Sequence, residues 1–308
     1  MINVESQGRD ATVPTHGYLK IDATSFQAQF DREPLGFHHD LHNLALFSDS
    51  AIRSLVAKFD AHPEDYYVAA SAPAAGSEFF SVPRAAGGPS AALEQLDSGA
   101  TRILLKRPEN HDAGFRQLMN DLFSEVMALR GGLRGERLVR LESAVFITSA
   151  ASTTPFHFDP EIAFFFQIEG DKSYHVYPPA SLREADLEKF YLRGQVSIGQ
   201  VDLKACDSTL ERVFELHAGV GFHQPQNSPH WVQTRASRSV SYSFVYETDA
   251  TRARGRARAC NYYLRKVGMQ PFKPGSRPVL DAVKAGAMRM VIPVRNRVGA
   301  QLRSMRAK

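Results

Sequence analysis

The stretch TTPFHFDPEIAFFFQIEGDK, residues 153–172, decides how the chain is read. His157 and Asp159 stand one residue apart, an apolar run follows, the turn Glu169-Gly170-Asp171 closes it, and Lys172 opens the next segment. In a strand alternate side chains share a face, so His157 and Asp159 project together while Phe158 points away. An imidazole and a carboxylate that close supply two ligands at one edge of a metal ion. One further histidine would complete a two-His, one-carboxylate set, whose open positions suit Fe(II) and oxygen.

A lone HxD arises easily by chance. The chain holds another in GFHHDLH, residues 36–42, with His38, Asp40 and His42. No strand or later anchor surrounds that copy, and it reads as the polar start of a helix capped by Asp40. The first copy differs in context. AFFFQI, the turn EGD and KSYHVYPP read as a strand pair with Lys172 at the start of the returning strand. A lysine inside a barrel is costly unless an anion meets it, and the competing reading is an exposed turn lysine. For the third ligand, ELHAGVGFHQPQNSPHWVQT (residues 215–234) offers His217, His223 and His230. Spacing does not choose among them, although a strand ending at Pro225 and a loop delivering His230 before WVQT would set His230 at a barrel mouth.

Working outward, RLVRLESAVFITSA, AFFFQIE, KSYHVYPP, RVFELHAG, HWVQT and SVSYSFVYE are short segments rich in β-branched and aromatic residues. They predict an antiparallel sandwich or barrel from about Arg137 onward, interrupted by a helical insertion at residues 181–193. Residues 1–100 read as mixed structure. They include a helix capped by Ser48 or Ser50, with Ile52, Leu55, Val56 and Phe59 on one face, and an Ala/Gly/Pro/Ser-rich loop over residues 71–92. A second amphipathic helix carries Phe115, Leu118, Met119, Leu122, Val126 and Leu129 and stops at Gly131. After Glu247 the pattern is helical again, broken by Pro271, Pro274, Pro278 and Pro293. Val294, Val298, Leu302 and Met305 give it a basic amphipathic ending, which reads as a docking or dimer face.

The chain has 308 residues, 43% hydrophobic and 23% charged, enough for one large domain with additions or for two. No apolar run is long enough to span a membrane, and the N-terminus MINVESQGRD lacks the basic and apolar parts of a signal peptide. Two cysteines, Cys206 and Cys260, are too few for a disulfide framework, and the expected setting is cytoplasmic. The net charge is +4, but residues 251–308 hold fifteen Lys/Arg and one acid, Asp281, which leaves 22 − 32 = −10 for the first 250. Such a tail can meet nucleic acid or pack on its own acidic body or a second subunit; no nucleic-acid motif accompanies it, which favours packing. Dinucleotide, phosphate-loop and GxSxG motifs are absent from the sequence.

These residues together resemble the JmjC and cupin-like Fe(II)/2-oxoglutarate oxygenases, including small bacterial cupin-like members and the hypoxia-pathway asparaginyl hydroxylase. The resemblance covers about residues 100–250 and rests on Thr154, Pro155, His157, Asp159, Gln167, Ile168, Gly170, Lys172, Pro178 and Pro179, with His230 five residues after Pro225. It departs from the family where Ala218 and Val220 replace the usual Pro and Asp of a turn, and where Ser243 stands at a position that often carries Asn.

The resemblance implies a mostly β core, a double-stranded β-helix of the jelly-roll, cupin-like kind, with N-terminal α/β elements and C-terminal helices. Its expected division is 1–100 mixed α/β, 101–250 catalytic core and 251–308 basic helical extension. His157, Asp159 and His230 would hold Fe(II), Lys172 and Thr154 the distal carboxylate of 2-oxoglutarate, and Ser243 would line the co-substrate. The implied activity is hydroxylation with release of succinate and CO2, since the acidic ligand is Asp rather than the Glu of many lysine demethylases. The substrate could be a small molecule, a peptide or RNA; apart from the resemblance, the basic tail leaves a homodimer through the C-terminal region open. A non-catalytic cupin-like binding or regulatory protein is the rival reading, because a fold does not fix a function.

Overall fold

The strands, in chain order, are β1 (Leu19–Lys20), β2 (Leu35–His39), β3 (Tyr66–Ala69), β4 (Arg102–Lys106), β5 (Leu138–Thr148), β6 (Thr153–Phe158), β7 (Ile162–Glu169), β8 (Lys172–Val176), β9 (Gly199–Gln200), β10 (Arg212–Leu216), β11 (Val220–Gln224), β12 (Pro229–Thr234) and β13 (Ser239–Thr248). The helices are α1 (Ala23–Gln29), α2 (Asp49–Phe59), α3 (Pro89–Glu94), α4 (Pro108–His111), α5 (Ala113–Arg130), α6 (Glu184–Tyr191), α7 (Asp249–Lys266) and α8 (Pro278–Arg306). This computed structural model describes residues 17–69, 73–79, 87–96, 99, 101–192, 198–200, 202, 204 and 206–306.

An eight-stranded sheet runs β1-β2-β11-β7-β13-β5-β4-β3, and a five-stranded sheet runs β10-β8-β12-β6-β9. Among the described residues the strands within each sheet pair antiparallel, and the chain crosses from one sheet to the other and back. That is the double-stranded β-helix. Apolar side chains of both sheets meet between them: Phe165 and Phe222 from the large one, Tyr174, Phe214 and Val232 from the small one. The inward-facing apolar residues of the two sheets are what closes one sheet on the other. On the outer side of the large sheet, Phe115 of α5 packs edge-on to Phe47 and tilted against Tyr242 of β13.

Several local expectations hold. Ser48 caps α2 by accepting from the Ala51 amide at 3.3 Å, and α5 ends at Gly131 with φ 78°. The insertion at 181–193 contains α6.

Others change. The segments either side of Gly170 are not a strand pair, because β7 lies in the large sheet and β8 in the small one. The run from Ile162 to Ile168 is apolar on both faces and buried throughout, so it takes a central place covered on both sides rather than forming a hairpin. Gln167 secures the corner by donating through Nε2 to the carbonyls of Glu169 (2.7 Å) and Gly170 (3.0 Å).

GFHHDLH is not the start of a helix throughout. Its first part is β2, which pairs with β11, and Asp40 makes no capping hydrogen bond but joins Lys20 at 2.6 Å. The expected loop over 71–92 ends in α3, where Pro89 at the first position favours a helix; residues 71, 72 and 80–86 lie outside the described residues. Pro293 does not break α8: its missing N–H frees the carbonyl of Arg289, an exposed position where water can serve. His230 lies inside β12 and not on the preceding loop.

By contacts the chain divides into two units, Met1–Arg134 with Arg140–Ser181 and Gln200–Tyr246, and Gly135–Val139 with Leu182–Gly199 and Glu247–Lys308. Within the second, Arg258 Nε reaches Glu184 at 2.6 Å and Arg265 Nε reaches Glu188 at 2.8 Å, so part of the basic tail is neutralised by α6. Val279, Val283, Met290 and Val294 on α8 stay 60–82% exposed. The side chains of Val298, Leu302 and Met305 lie outside the described residues. No helix among the described residues is long and apolar enough to cross a membrane.

Candidate metal centre

His157 on β6 and His230 on β12 are directly opposite residues of an antiparallel pair, which sends both imidazoles to the same face. Asp159 follows just past the end of β6, its backbone carbonyl held by the Asn227 amide at 2.9 Å. One oxygen of its carboxylate lies 3.8 Å from His157 Nε2 and the other 3.7 Å from His230 Nε2. All three donors fall within 4.8 Å of one another, and no other such group of His, Cys, Asp or Glu occurs among the described residues. His38, Asp40 and His42 form none.

The tautomers follow from hydrogen bonding. His157 Nδ1 lies 2.7 Å from the carbonyl of Pro155, and His230 Nδ1 lies 3.1 Å from that of Ser228. A carbonyl only accepts, so each ring donates from Nδ1 and keeps its Nε2 lone pair for the centre. Burial, then the neighbouring His230 and Arg102, push His157 well below its usual value. Burial likewise lowers His230, against the pull of Asp159. Burial raises Asp159, opposed first by His230. Two neutral imidazoles and a carboxylate crowded out of water form a donor set that a divalent cation relieves, and it fits Fe(II).

The surrounding groups are those a ligand would need. Tyr174 stacks on His230 with centroids 5.2 Å apart and donates to Gln224 Oε1 at 2.7 Å. Gln224 Nε2 is buried beside Asp159 and its hydrogen bond favours the carboxylate form, against the effect of burial.

Lys172 is not an exposed turn residue. It is 4% exposed, opposite Thr234 on β12, four residues from His230 and on the same face, about 13 Å along the strand. Its Nζ donates to Ser241 at 2.9 Å and stands 5.6 Å over the Phe165 ring. Burial, with Arg102 second, brings its pKa down to about 7. Ser241 in turn donates to Gln167 Oε1 at 2.8 Å.

Thr154 is paired with Val232 across β6 and β12, and a bulge between there and His157 lets an odd sequence spacing end on one face. Ser243 faces inward opposite Phe165, but the hydroxyl that reaches Lys172 is that of Ser241. His217 is not part of the cluster, and His223 is placed elsewhere, accepting from the Asp31 amide at 3.0 Å and stacked on Phe30. Sequence reasoning passed over Gln224, Ser241 and Tyr174, whose residue types carry no motif of their own.

Two solved structures share this architecture. That of E. coli ycfD superposes with a TM-score of 0.51 at 15% identity, covering 85% of this chain and 63% of that one. A second, YcfD from Escherichia coli described as a ribosomal oxygenase in complex with cobalt and 2-oxoglutarate, gives 0.50 at 15% identity, covering 89% and 67%. The fold is shared. At this identity the likeness concerns the fold, and this chain spans about two thirds of the length of that protein. No protein-family model and no curated protein matches the sequence.

Proposed function

We propose that the chain is an Fe(II)- and 2-oxoglutarate-dependent oxygenase, a hydroxylase that yields succinate and CO2. The observation that carries this reading is the convergence of His157 Nε2, Asp159 and His230 Nε2 on the inner face of a double-stranded β-helix that also buries Lys172 without an acidic partner among the described residues. Iron with its co-substrate supplies oxygen activation when bound. The two Nδ1–H donations keep the imidazoles neutral and oriented. Asp159 balances part of a cation's charge, while Lys172 and Thr154 hold the distal carboxylate of 2-oxoglutarate and Ser243 lines its path. Phe165, Tyr174 and Val232 keep the interior apolar, which strengthens each of these interactions.

The neighbouring fold belongs to a protein described as a ribosomal oxygenase. For this chain a peptide, an RNA or a small molecule would suit the reaction equally. Cys206 and Cys260 stand outside any disulfide, which supports a cytoplasmic setting. The exposed stripe of α8 supports a homodimer, and Val283→Asp with measurement of subunit mass tests it: a dimer becomes a monomer.

The reading is tested by anaerobic reconstitution with Fe(II). Addition of 2-oxoglutarate should produce a weak metal-to-ligand absorption band, and oxygen should then yield succinate. A wild-type protein that gives neither, or His157→Ala that keeps both, refutes it.

A further inference from the structure

Arg102, the first residue of β4, is 5% exposed. Burying a guanidinium is costly unless its charge and its N–H groups are met. Among the described residues it has neither an acidic partner nor a side-chain hydrogen bond. Its guanidinium lies against aromatic faces instead, 5.9 Å from the Tyr67 centroid and 5.2 Å from that of Phe79. The Phe79 ring stands 4.7 Å from the His157 imidazole. On the other side, Arg102 is opposite Thr148 of β5, Thr148 Oγ1 lies 3.0 Å from Thr234 Oγ1, and Thr234 is opposite Lys172. The same guanidinium charge acts on both His157 and Lys172. Arg102 therefore lies near both the metal donors and the lysine, and among the described residues neither Arg102 nor Lys172 has a carboxylate partner. An anion from outside would meet both groups, and a guanidinium offers it a two-pronged donor that an ammonium lacks.

We infer that Arg102 and Lys172 together form a two-cation seat for the distal carboxylate of the co-substrate, with Arg102 the residue that selects a 2-oxo dicarboxylate over a 2-oxo monocarboxylate. The inference rests on the reading of the site as a 2-oxoglutarate site and adds a specificity determinant to it. Neither charge alone accounts for the pocket, because Lys172 already has the Ser241 hydroxyl while Arg102 has no polar partner among the described residues.

The test uses the full chain loaded anaerobically with Co(II), whose visible spectrum reports ligand binding without turnover. It is titrated with 2-oxoglutarate and with 2-oxobutyrate, which has the same 2-oxo acid head and no distal carboxylate. Arg102→Met should weaken 2-oxoglutarate at least tenfold while leaving 2-oxobutyrate and Co(II) itself within twofold, and Arg102→Lys should recover part of the loss. Unchanged 2-oxoglutarate affinity in Arg102→Met overturns the inference, as does an equal loss for 2-oxobutyrate, which marks a general structural role. Should Arg102→Met fail to fold, Lys172→Met decides: with Arg102 still in the seat it should keep at least a fivefold preference for 2-oxoglutarate, and no remaining preference overturns the inference. A wild-type protein that binds Co(II) but does not respond to 2-oxoglutarate removes the underlying reading instead.

Discussion

His157 and His230 occupy directly opposite positions on β6 and β12, with ring centroids 4.1 Å apart. The pairing register of these two strands therefore assembles the candidate centre, and Asp159 reaches it from the loop that β6 leads into.

From this register, loss of either imidazole removes a donor that no neighbour replaces. His157→Ala and His230→Ala should each weaken Co(II) binding at least a hundredfold, whereas His38→Ala should stay within twofold. Titration of the cobalt visible bands checks this, and equal loss from His38→Ala would point to a different centre.

Lys172 gives the co-substrate site a pH dependence. Its pKa is held at about 7, so above that pH the free protein has a neutral amine, and binding a carboxylate there must take up a proton. The dissociation constant of 2-oxoglutarate for the Co(II) protein should rise from pH 7 to 9, by at most tenfold per unit. Lys172→Met should show a flatter profile. For folding the sign is opposite in form: the unfolded lysine binds the extra proton between about 7 and 10.5, so this group's contribution to stability rises with pH across that window.

Ser241 and Ser243 separate by role. Ser241 meets Lys172 at 2.9 Å and passes the bond on to Gln167, so Ser241→Ala should cost about 1.5–3 kcal/mol in 2-oxoglutarate binding, the worth of a hydrogen bond to a charged group. Ser243→Ala should change it by less than threefold. Calorimetric titration of both variants distinguishes them.

Phe164 tests the sheet that carries the site. It is fully buried and stacks on Phe244 with centroids 5.1 Å apart, so Phe164→Ala should lower unfolding free energy by about 3–5 kcal/mol in a urea titration.

Gly170 tests the corner between β7 and β8. Its φ is 70° and an added Cβ would collide with the Arg238 carbonyl oxygen, so Gly170→Ala should lose about 2 kcal/mol or more. A change below 0.5 kcal/mol would show that the corner relaxes freely.

Much of this was legible in the sequence because it is local. The β-rich segments after Arg137, the caps of α2 and α5, and the family resemblance carried by the His157, Asp159, Lys172 and His230 spacings all depend on residues near one another along the chain or on a fixed pattern. The first hundred residues were less legible: β1 and β2 extend the large sheet on one edge and β3 closes the other, yet their short segments have no periodicity of their own to announce it. The reading of β7 and β8 as a hairpin failed because alternation says which face a residue takes, not which sheet its strand joins.

What the sequence by itself determined is the set of donors and their chemical character: two histidines, one aspartate and a lysine spaced as strand residues. The family resemblance pointed to His230 among His217, His223 and His230, and what physically brings it to the HxD is the register between strands more than seventy residues apart. Tertiary structure also brought Thr154 onto the donor face through a bulge, and set the hydroxyl of Ser241 on Lys172 in place of Ser243. Arg102 belongs to the same class. In RILLK it is an ordinary strand residue, and only burial without a counter-charge, which no sequence records, makes it part of an anion seat.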